Sequence, residues 1–413
     1  MLVLVAGGGI ALALVLSGGG GEPSSQPTAS LPPAPTLPEH NHAAAPPWGF
    51  TASGWSDYCY RKAATPTGYL QQVLPDTQAC PAGSARVTGT RQIDITAQAG
   101  ADADRLGETW ASVEPRAPGQ PRPPGVPLFN WAPLVERYRA MIRDGIRPVV
   151  LAWGSPAWAR EPGWDRPGSC GLPTGGCNYP PAPEHLGDWR AFVRGLMVHL
   201  PRMRALEIWN EPNSARFFAP HPSPVLYSRL LRAADQAARQ VGFKRPIVTG
   251  GLAPEKPVNP GKMPPVEFLS QVYRTAGRHA FDGIGAHPYP DGPPWVANMA
   301  ENLNQLRSVS RRAGDGGKPL WITEVGLGGT PGGGGHFAVP LERQGPVLAQ
   351  MHDAVSRMGD VRSFIVFNLF DSNPQGGRFG AYGVMSPGLV PKPSYCYLAR
   401  HLGGTRACPA RAP

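Results

Sequence analysis

The chain has 413 residues, a length that suits one large domain as well as two average domains. Its hydrophobic fraction of 41% is enough for one large core, while 52 Gly and 51 Pro predict long loops and a linker. The formal net charge of +10 comes from basic residues that are scattered and form no basic run, so a solvated surface explains it and nucleic-acid binding is disfavoured.

The first 47 residues predict an export or anchoring segment followed by a spacer. Residues 1–17 are mostly apolar and suit either a signal peptide or an N-terminal membrane anchor. Both alternatives stay open, because no Lys or Arg precedes the apolar stretch, which is shorter than the roughly 20 residues that span a bilayer. Residues 18–47 are rich in Pro, Ser, Ala and Gly and predict a disordered linker, since they bury too little apolar surface to fold.

The folded region is predicted to cover residues 48–413, because no later stretch of comparable length loses its hydrophobic periodicity. Short apolar runs alternate there with amphipathic helical patterns at 130–144, 184–200, 224–241 and 294–312. The predicted strands are 48–53, 103–110, 147–153, 205–210, 246–251, 281–287, 319–325 and 363–370. Eight strands that alternate with helices predict an α/β fold, a (β/α)8 TIM barrel.

The six cysteines form three couples that are close in sequence, and none of them has the spacing of a zinc site. The couples are Cys59 with Cys80, Cys170 with Cys177, and Cys396 with Cys408. We predict three disulfides, with inert buried thiols as the alternative. An even cysteine count behind an export segment fits an oxidising compartment. We therefore expect an extracellular protein, secreted or anchored at the outer face of the cell membrane.

Two glutamates stand at or near the ends of predicted strands, where the reactive groups of a barrel lie. Glu211 follows the fourth strand and Glu324 lies in the seventh. A single strand-end glutamate is more often a salt-bridge partner than a catalyst, but a pair in these local sequences favours catalysis. Cleavage of a glycosidic bond needs one carboxylic acid and one carboxylate, about 5–5.5 Å apart in retaining enzymes.

The sequence Asn-Glu-Pro at 210–212 and the sequence Trp-Ile-Thr-Glu at 321–324 resemble those of clan A retaining glycoside hydrolases. The resemblance covers about residues 48–404. Within the clan the chain is most similar to cellulase-like family five and to family thirty-nine. The resemblance implies that Glu211 is the acid/base, that Glu324 is the nucleophile, and that Asn210 binds the sugar 2-hydroxyl.

Further positions match the clan more loosely. Arg105 resembles the strand-two arginine that pairs with the nucleophile, with an ordinary structural ion pair as the alternative. His287 and Tyr289 resemble residues that line the sugar subsite, with a satisfied core histidine as the alternative for His287. Trp153 and Trp158 are candidates for stacking on a sugar face, as is Trp209, for which a place in the barrel core is equally expected.

The strand-eight segment 367–371 lacks the tryptophan that many clan members place against the reacting sugar, so it departs from the clan pattern.

We expect hydrolysis of an extracellular polysaccharide or glycoside by double displacement, with a carbohydrate as the partner and with no metal or organic cofactor. Two alternatives stay open: a transglycosylase on the same scaffold, and a non-catalytic carbohydrate-binding protein of the cell envelope. The sequence indicates neither the sugar and linkage nor the oligomeric state.

Overall fold

The structure is a computed structural model, which describes residues 45–51, 58–62, 71–73, 80, 82, 84–121, 128–162, 178–256, 261–331, 337–372, 380–404 and 408. The predicted segment 1–17, most of the predicted linker 18–47, and the couple of Cys170 with Cys177 lie outside these residues. No helix within the described ranges is long and apolar enough to cross a membrane.

Thirteen strands, nine α-helices and two short 3-10 helices (Ala157–Ala159 and Pro183–His185) make up the regular structure of the described ranges. The strands are β1 (Trp48–Thr51), β2 (Tyr58–Lys62), β3 (Gln71–Val73), β4 (Ser84–Val87), β5 (Ala103–Thr109), β6 (Arg147–Trp153), β7 (Ala205–Ile208), β8 (Ile247–Thr249), β9 (Ile284–Ala286), β10 (Leu320–Val325), β11 (Gly328–Thr330), β12 (Ala338–Pro340) and β13 (Val361–Val366). The helices are α1 (Gly89–Gln98), α2 (Trp110–Val113), α3 (Ala132–Arg143), α4 (Leu186–His199), α5 (Pro224–Val241), α6 (Pro265–Ala276), α7 (Trp295–Arg312), α8 (Leu341–Met358) and α9 (Pro393–His401).

Eight of the strands form one parallel sheet that closes on itself. Their order in the sheet is β8, β7, β6, β5, β1, β13, β10 and β9, and every neighbouring pair is parallel. The two ends of this order meet where Val248 of β8 pairs with Gly283, just before β9. The amide of Thr249 also donates to the carbonyl of Gly283 at 3.1 Å. The predicted (β/α)8 TIM barrel is therefore confirmed.

The predicted elements agree with the barrel in number and position, and differ mainly in where strands end. The helical pattern at 224–241 coincides with α5, because local signals fix both of its ends. The side chain of Ser223 accepts a hydrogen bond from the amide of Leu226, and Pro224 occupies the first turn. Gly242 ends the helix with a φ of 65°, a conformation that glycine adopts without a steric penalty.

A small sheet between β1 and α1 was not predicted. It is antiparallel, with the order β3, β2, β4. Its strands are short, and β3 (Gln71–Val73) has little apolar character, so the hydrophobic pattern gave no signal. The disulfide of Cys59 with Cys80 connects β2 to the segment before β4, with the two Cα atoms 5.5 Å apart.

A second predicted disulfide joins Cys396, in α9, to Cys408, with the Cα atoms 4.9 Å apart. This separation lies in the usual range for a disulfide. The structure thus contains two of the three predicted bonds, and the third falls outside the described residues. The bond ties α9 to the C-terminal end of the chain.

Aromatic side chains fill the layer between the barrel and its helices on the side of β7. Trp209 is fully buried there, with Trp189 5.9 Å and Phe218 5.6 Å from it between ring centroids. Its indole Nε1–H donates to the carbonyl oxygen of Phe217, so the polar end of the ring is satisfied. Trp209 therefore belongs to the core and does not stack on a sugar.

Candidate active site

The C-terminal ends of the barrel strands bring the sequence-predicted residues together at one mouth. Arg105 lies in β5 and Glu324 in β10, while Glu211 follows β7 and His287 directly follows β9. Tyr289 lies in the same short segment as His287, and all five side chains are largely buried. Because parallel strands all point the same way, their C-terminal ends converge on this mouth.

The backbone after β7 turns sharply to present Glu211. Trp209 and Glu211 have φ values of 70° and 40°, a left-handed conformation that is uncommon for residues other than glycine. Such strain persists only where the surroundings hold it, and it is frequent at functional sites. The side chain of Asn213 supports the turn, since it donates to the carbonyls of Ala253 at 2.9 Å and Met263 at 3.0 Å.

The carboxyl group of Glu211 lies in an environment that favours its protonated form. Its side chain is only 14% exposed. Burial, followed by the charge of Glu255, raises the pKa of Glu211 to about 7, while the cations of Arg105, Arg216 and Lys262 oppose this rise. A carboxylic acid with such a pKa still carries its proton in a large share of molecules at neutral pH.

Glu324 has hydrogen-bond donors directed at both of its oxygens. The guanidinium of Arg105 donates to Oε1, and the hydroxyl of Tyr289 donates to Oε2 at 2.8 Å. One oxygen of Glu324, one oxygen of Glu211 and one ring nitrogen of His287 lie within 4.8 Å of one another. The two carboxyl groups therefore face each other across a narrow space.

Arg105 binds two carboxylates at once. Its Nε donates to Glu207 at 2.6 Å and its Nη2 donates to the other oxygen of Glu207 at 3.1 Å, while Nη1 reaches Glu324. Nη2 also donates to Oδ1 of Asn210 at 2.7 Å. Burial alone would lower the pKa of Arg105, but the two carboxylates raise it overall. Arg105 thus bonds three protein groups, Glu207, Glu324 and Asn210.

Sequence reasoning missed Glu207, which is fully buried in β7. Besides Arg105, it accepts hydrogen bonds from the amide of Gly251 at 2.9 Å and from the hydroxyl of Thr323 at 2.8 Å. A charged residue inside an otherwise apolar strand was the available signal, because a buried carboxylate needs a charged partner and several donors.

His287 links the two glutamates to β10. Its Nδ1 lies 2.9 Å from Oε1 of Glu211 and 3.6 Å from Oε2 of Glu324. Its Nε2 lies 3.1 Å from the hydroxyl of Thr323. Burial lowers the pKa of His287 to about 4, so the ring is neutral at physiological pH.

Aromatic rings border the mouth on two sides. Trp153, at the end of β6, is half-buried, and its ring centroid lies 6.4 Å from that of Phe217. On the other side, the ring of Tyr289 lies 6.2 Å from Phe367 and 6.1 Å from Tyr382. Phe367, directly after β13, and Tyr382 thus border Tyr289.

The donor atoms of Glu211, His287 and Glu324 are close enough together for one divalent cation to bridge them. The guanidinium of Arg105, however, already bonds Glu324 and places a full positive charge beside that position. The arrangement of charges therefore fits an ion-pair network better than a cation site.

No protein-family model matches the sequence, and no curated protein is significantly similar to it. Among solved structures, the chain is similar to a family 39 glycoside hydrolase from the gut symbiont Bacteroides cellulosilyticus WH2, with a TM-score of 0.54 and 20% identity over 76% of this chain and 60% of that chain. It is similar to a monomeric beta-xylosidase from Caulobacter crescentus CB15, with a TM-score of 0.51 and 18% identity over 74% of this chain and 62% of that one. A beta-glucosidase from Exiguobacterium marinum has a TM-score of 0.54 and 14% identity, with 88% of this chain and 98% of that chain covered.

The chain spans about three fifths of the length of the first two of these proteins. At such identities the similarity shows the fold, a barrel like theirs. Family 39 glycoside hydrolases are among the similar structures.

Proposed function

We propose that the protein is a retaining glycoside hydrolase that acts on an extracellular carbohydrate, with Glu211 as the acid/base and Glu324 as the nucleophile. The observation that carries the proposal is the pair itself. One oxygen of Glu211 and one oxygen of Glu324 lie within 4.8 Å of each other. This approach supports the close carboxyl pair of retaining enzymes, roughly 5–5.5 Å apart, over the roughly 6.5–9.5 Å of inverting enzymes.

In the first step, an oxygen of Glu324 forms a bond to the anomeric carbon of the sugar while the glycosidic C–O bond breaks. Glu211 gives its proton to the departing oxygen, so the leaving group departs as an alcohol. In the second step, Glu211 takes a proton from water, whose oxygen bonds the anomeric carbon and releases Glu324. Arg105 and Tyr289 hold Glu324 in position through both steps.

The fold likeness supports the same class of reaction, since the similar structures include a beta-xylosidase and a beta-glucosidase. Aryl β-xylosides and β-glucosides are therefore the first substrates to test. Two disulfides support an extracellular site of action. A transglycosylase would form the same covalent intermediate, and analysis of the products in the presence of a sugar acceptor distinguishes it from a hydrolase.

The roles of the two glutamates can be distinguished because the turnover of their alanine variants should depend differently on the leaving group of the substrate. Glu324→Ala removes the attacking atom and is expected to abolish turnover of every substrate. Glu211→Ala is expected to retain turnover of activated aryl glycosides, which need little protonation, and to be rescued by azide with formation of a β-glycosyl azide. Glu301→Ala, at an exposed position of α7, is the control and is expected to behave as the wild type.

Initial rates with 2,4-dinitrophenyl and unactivated glycosides, with and without azide, are the measurement. The assignment of roles is reversed if Glu324→Ala spares the activated substrates and Glu211→Ala is inert. Full activity of both variants would reject the proposed function.

A further inference from the structure

A chain of hydrogen bonds runs from the buried Glu207 to Glu211. The hydroxyl of Thr323 lies 2.8 Å from Oε1 of Glu207 and 3.1 Å from Nε2 of His287, and Nδ1 of His287 lies 2.9 Å from Oε1 of Glu211. Four side chains from β7, β10 and the ends of β7 and β9 thus form one connected path.

The proton positions along this path follow from its first member. Glu207 carries two hydrogen bonds from Arg105 and one from the amide of Gly251, so it is an ionised carboxylate that only accepts. The single hydrogen of the Thr323 hydroxyl is therefore directed at Glu207. The oxygen of Thr323 is left to accept, and its remaining neighbour on this path is Nε2 of His287.

A neutral histidine has one N–H, and the contact with Thr323 requires it on Nε2. Nδ1 then presents a lone pair toward Glu211 at a distance of 2.9 Å. Two acceptors do not approach so closely without a hydrogen between them. The hydrogen in this contact therefore belongs to the carboxyl group of Glu211.

We propose that Thr323 is a positioning residue: by fixing the Nε2–H tautomer of His287, it holds the proton on Glu211 that the reaction needs. The role of Thr323 in catalysis rests on the proposed function, whereas the tautomer of His287 can be measured whether or not the protein turns over a glycoside. Ionised Glu211 would face a lone pair on Nδ1, which makes loss of this proton less favourable.

Several other charged or titratable groups face Glu211 and contribute to its proton affinity. They are Arg105 from β5, Glu324 from β10, and Glu255, Arg216 and Lys262 from the surrounding loops. Glu255 is bonded to Lys262 at 2.6 Å, which partly compensates both charges. None of these groups donates to Nδ1 or Nε2 of His287 in the described part of the chain, so the tautomer depends on Thr323.

The tautomer is read directly from the ring-nitrogen chemical shifts of protein labelled with ¹⁵N-histidine, with Glu211→Gln and His287→Asn used to assign the signal among the 10 histidines. The expected result is a protonated Nε2 and an unprotonated Nδ1 at pH 6. A protonated Nδ1 with an unprotonated Nε2 would overturn the inference. The result holds or fails whether or not the protein turns over any glycoside.

The catalytic consequence is tested by the pH dependence of kcat/KM for Thr323→Val. Without the hydroxyl, His287 is free to carry its proton on Nδ1 and donate it to ionised Glu211, which lowers the pKa of Glu211. The pH above which kcat/KM falls, the basic limb of its pH profile, is therefore expected to move down by roughly one pH unit. Thr323→Ser keeps the hydroxyl and is expected to restore the wild-type limb. The control is Thr275→Val, in the outer helix α6.

A lower rate for Thr323→Val with an unmoved basic limb would indicate a merely structural role and overturn the inference. A shift that Thr323→Ser reproduces would overturn it as well, because the hydroxyl would then be irrelevant. If no glycoside is turned over, the proposed function fails, and the same tautomer measurement on Thr323→Val decides whether Thr323 orients His287: an unchanged tautomer in that variant would overturn the inference.

Discussion

At the residue scale, the surroundings of Glu211 set the pH range over which it acts as an acid. Because burial raises the pKa of Glu211 to about 7, its proton is lost as the pH rises through that value. We expect kcat/KM to fall above about pH 7. A basic limb of kcat/KM that lies near the ordinary pKa of a glutamate would contradict the assignment of Glu211 as the acid.

Arg216 also acts on the pKa of Glu211, and its removal is expected to shift the basic limb of kcat/KM in the direction opposite to the shift expected for Thr323→Val. Its positive charge lowers the pKa of Glu211, so Arg216→Ala is expected to move the basic limb of kcat/KM to higher pH, by roughly half a unit at low salt. The matched control is Arg194→Ala, which removes an exposed arginine from α4. No displacement of the limb, or a displacement to lower pH, would show that Arg216 does not act on Glu211.

Single residues also show why part of the site was predictable and part was not. Glu211 and Glu324 were found because each stands at or near a predicted strand end in a recognisable local sequence. Glu207 was not, because its importance comes from Arg105 on another strand, a contact that spans 102 positions of the sequence. The contact between Thr323 and His287 likewise depends on the closure of the barrel.

At the scale of elements, a buried ion pair joins the segment after β13 to the start of α9. Nζ of Lys392 lies 2.7 Å from Oδ1 of Asp371 and 3.0 Å from the carbonyl of Gly383, and both charged side chains are 1% exposed. Burial raises the pKa of Asp371 to about 6 and lowers that of Lys392, while each partner opposes the effect on the other. Gly383 directly follows Tyr382, which contacts Tyr289 in the site.

Lys392→Met is therefore expected to lower the free energy of unfolding by about 3–5 kcal/mol, since it leaves Asp371 buried without a cation. The loss should be largest above pH 6 and should shrink as the pH falls, because protonated Asp371 carries no charge. Urea unfolding at pH 5 and pH 8 is the measurement. The double variant Asp371→Asn with Lys392→Met should recover part of the loss, and a loss equal in the single and double variants would contradict the argument.

The elements were predictable where the hydrophobic pattern and local caps agree, as in α5. The strand ends were less so. The prediction for the fourth strand ran through 210, whereas β7 ends at Ile208 because Trp209 leaves the extended conformation with a φ of 70°. Nothing in the identity of a tryptophan signals that turn, which is held by tertiary contacts such as those of Asn213.

At the scale of the whole molecule, the barrel and its closure followed from the count and order of the apolar runs, while the short β2, β3 and β4 did not. The boundary of the folded domain is a prediction of its own. Limited proteolysis is expected to remove residues before Trp48 and to leave one resistant fragment that extends to about Gly404, since residues 18–47 have too few apolar residues to form a core. Two separate resistant fragments, or protection that begins well before Trp48, would contradict the single-domain interpretation.

The central claim, that Glu324 forms a covalent bond to the sugar, is tested most directly by trapping the intermediate. An activated 2-deoxy-2-fluoro glycoside of a sugar that the protein cleaves should inactivate it. The fluorine slows both steps, but the activated leaving group keeps the first step fast enough for the covalent intermediate to accumulate. Mass spectrometry of the digested protein should then find one sugar attached to the peptide that contains Glu324, and Glu324→Gln should remain unlabelled. Attachment to Glu211, or turnover with inversion at the anomeric carbon and no labelled peptide, would contradict the account.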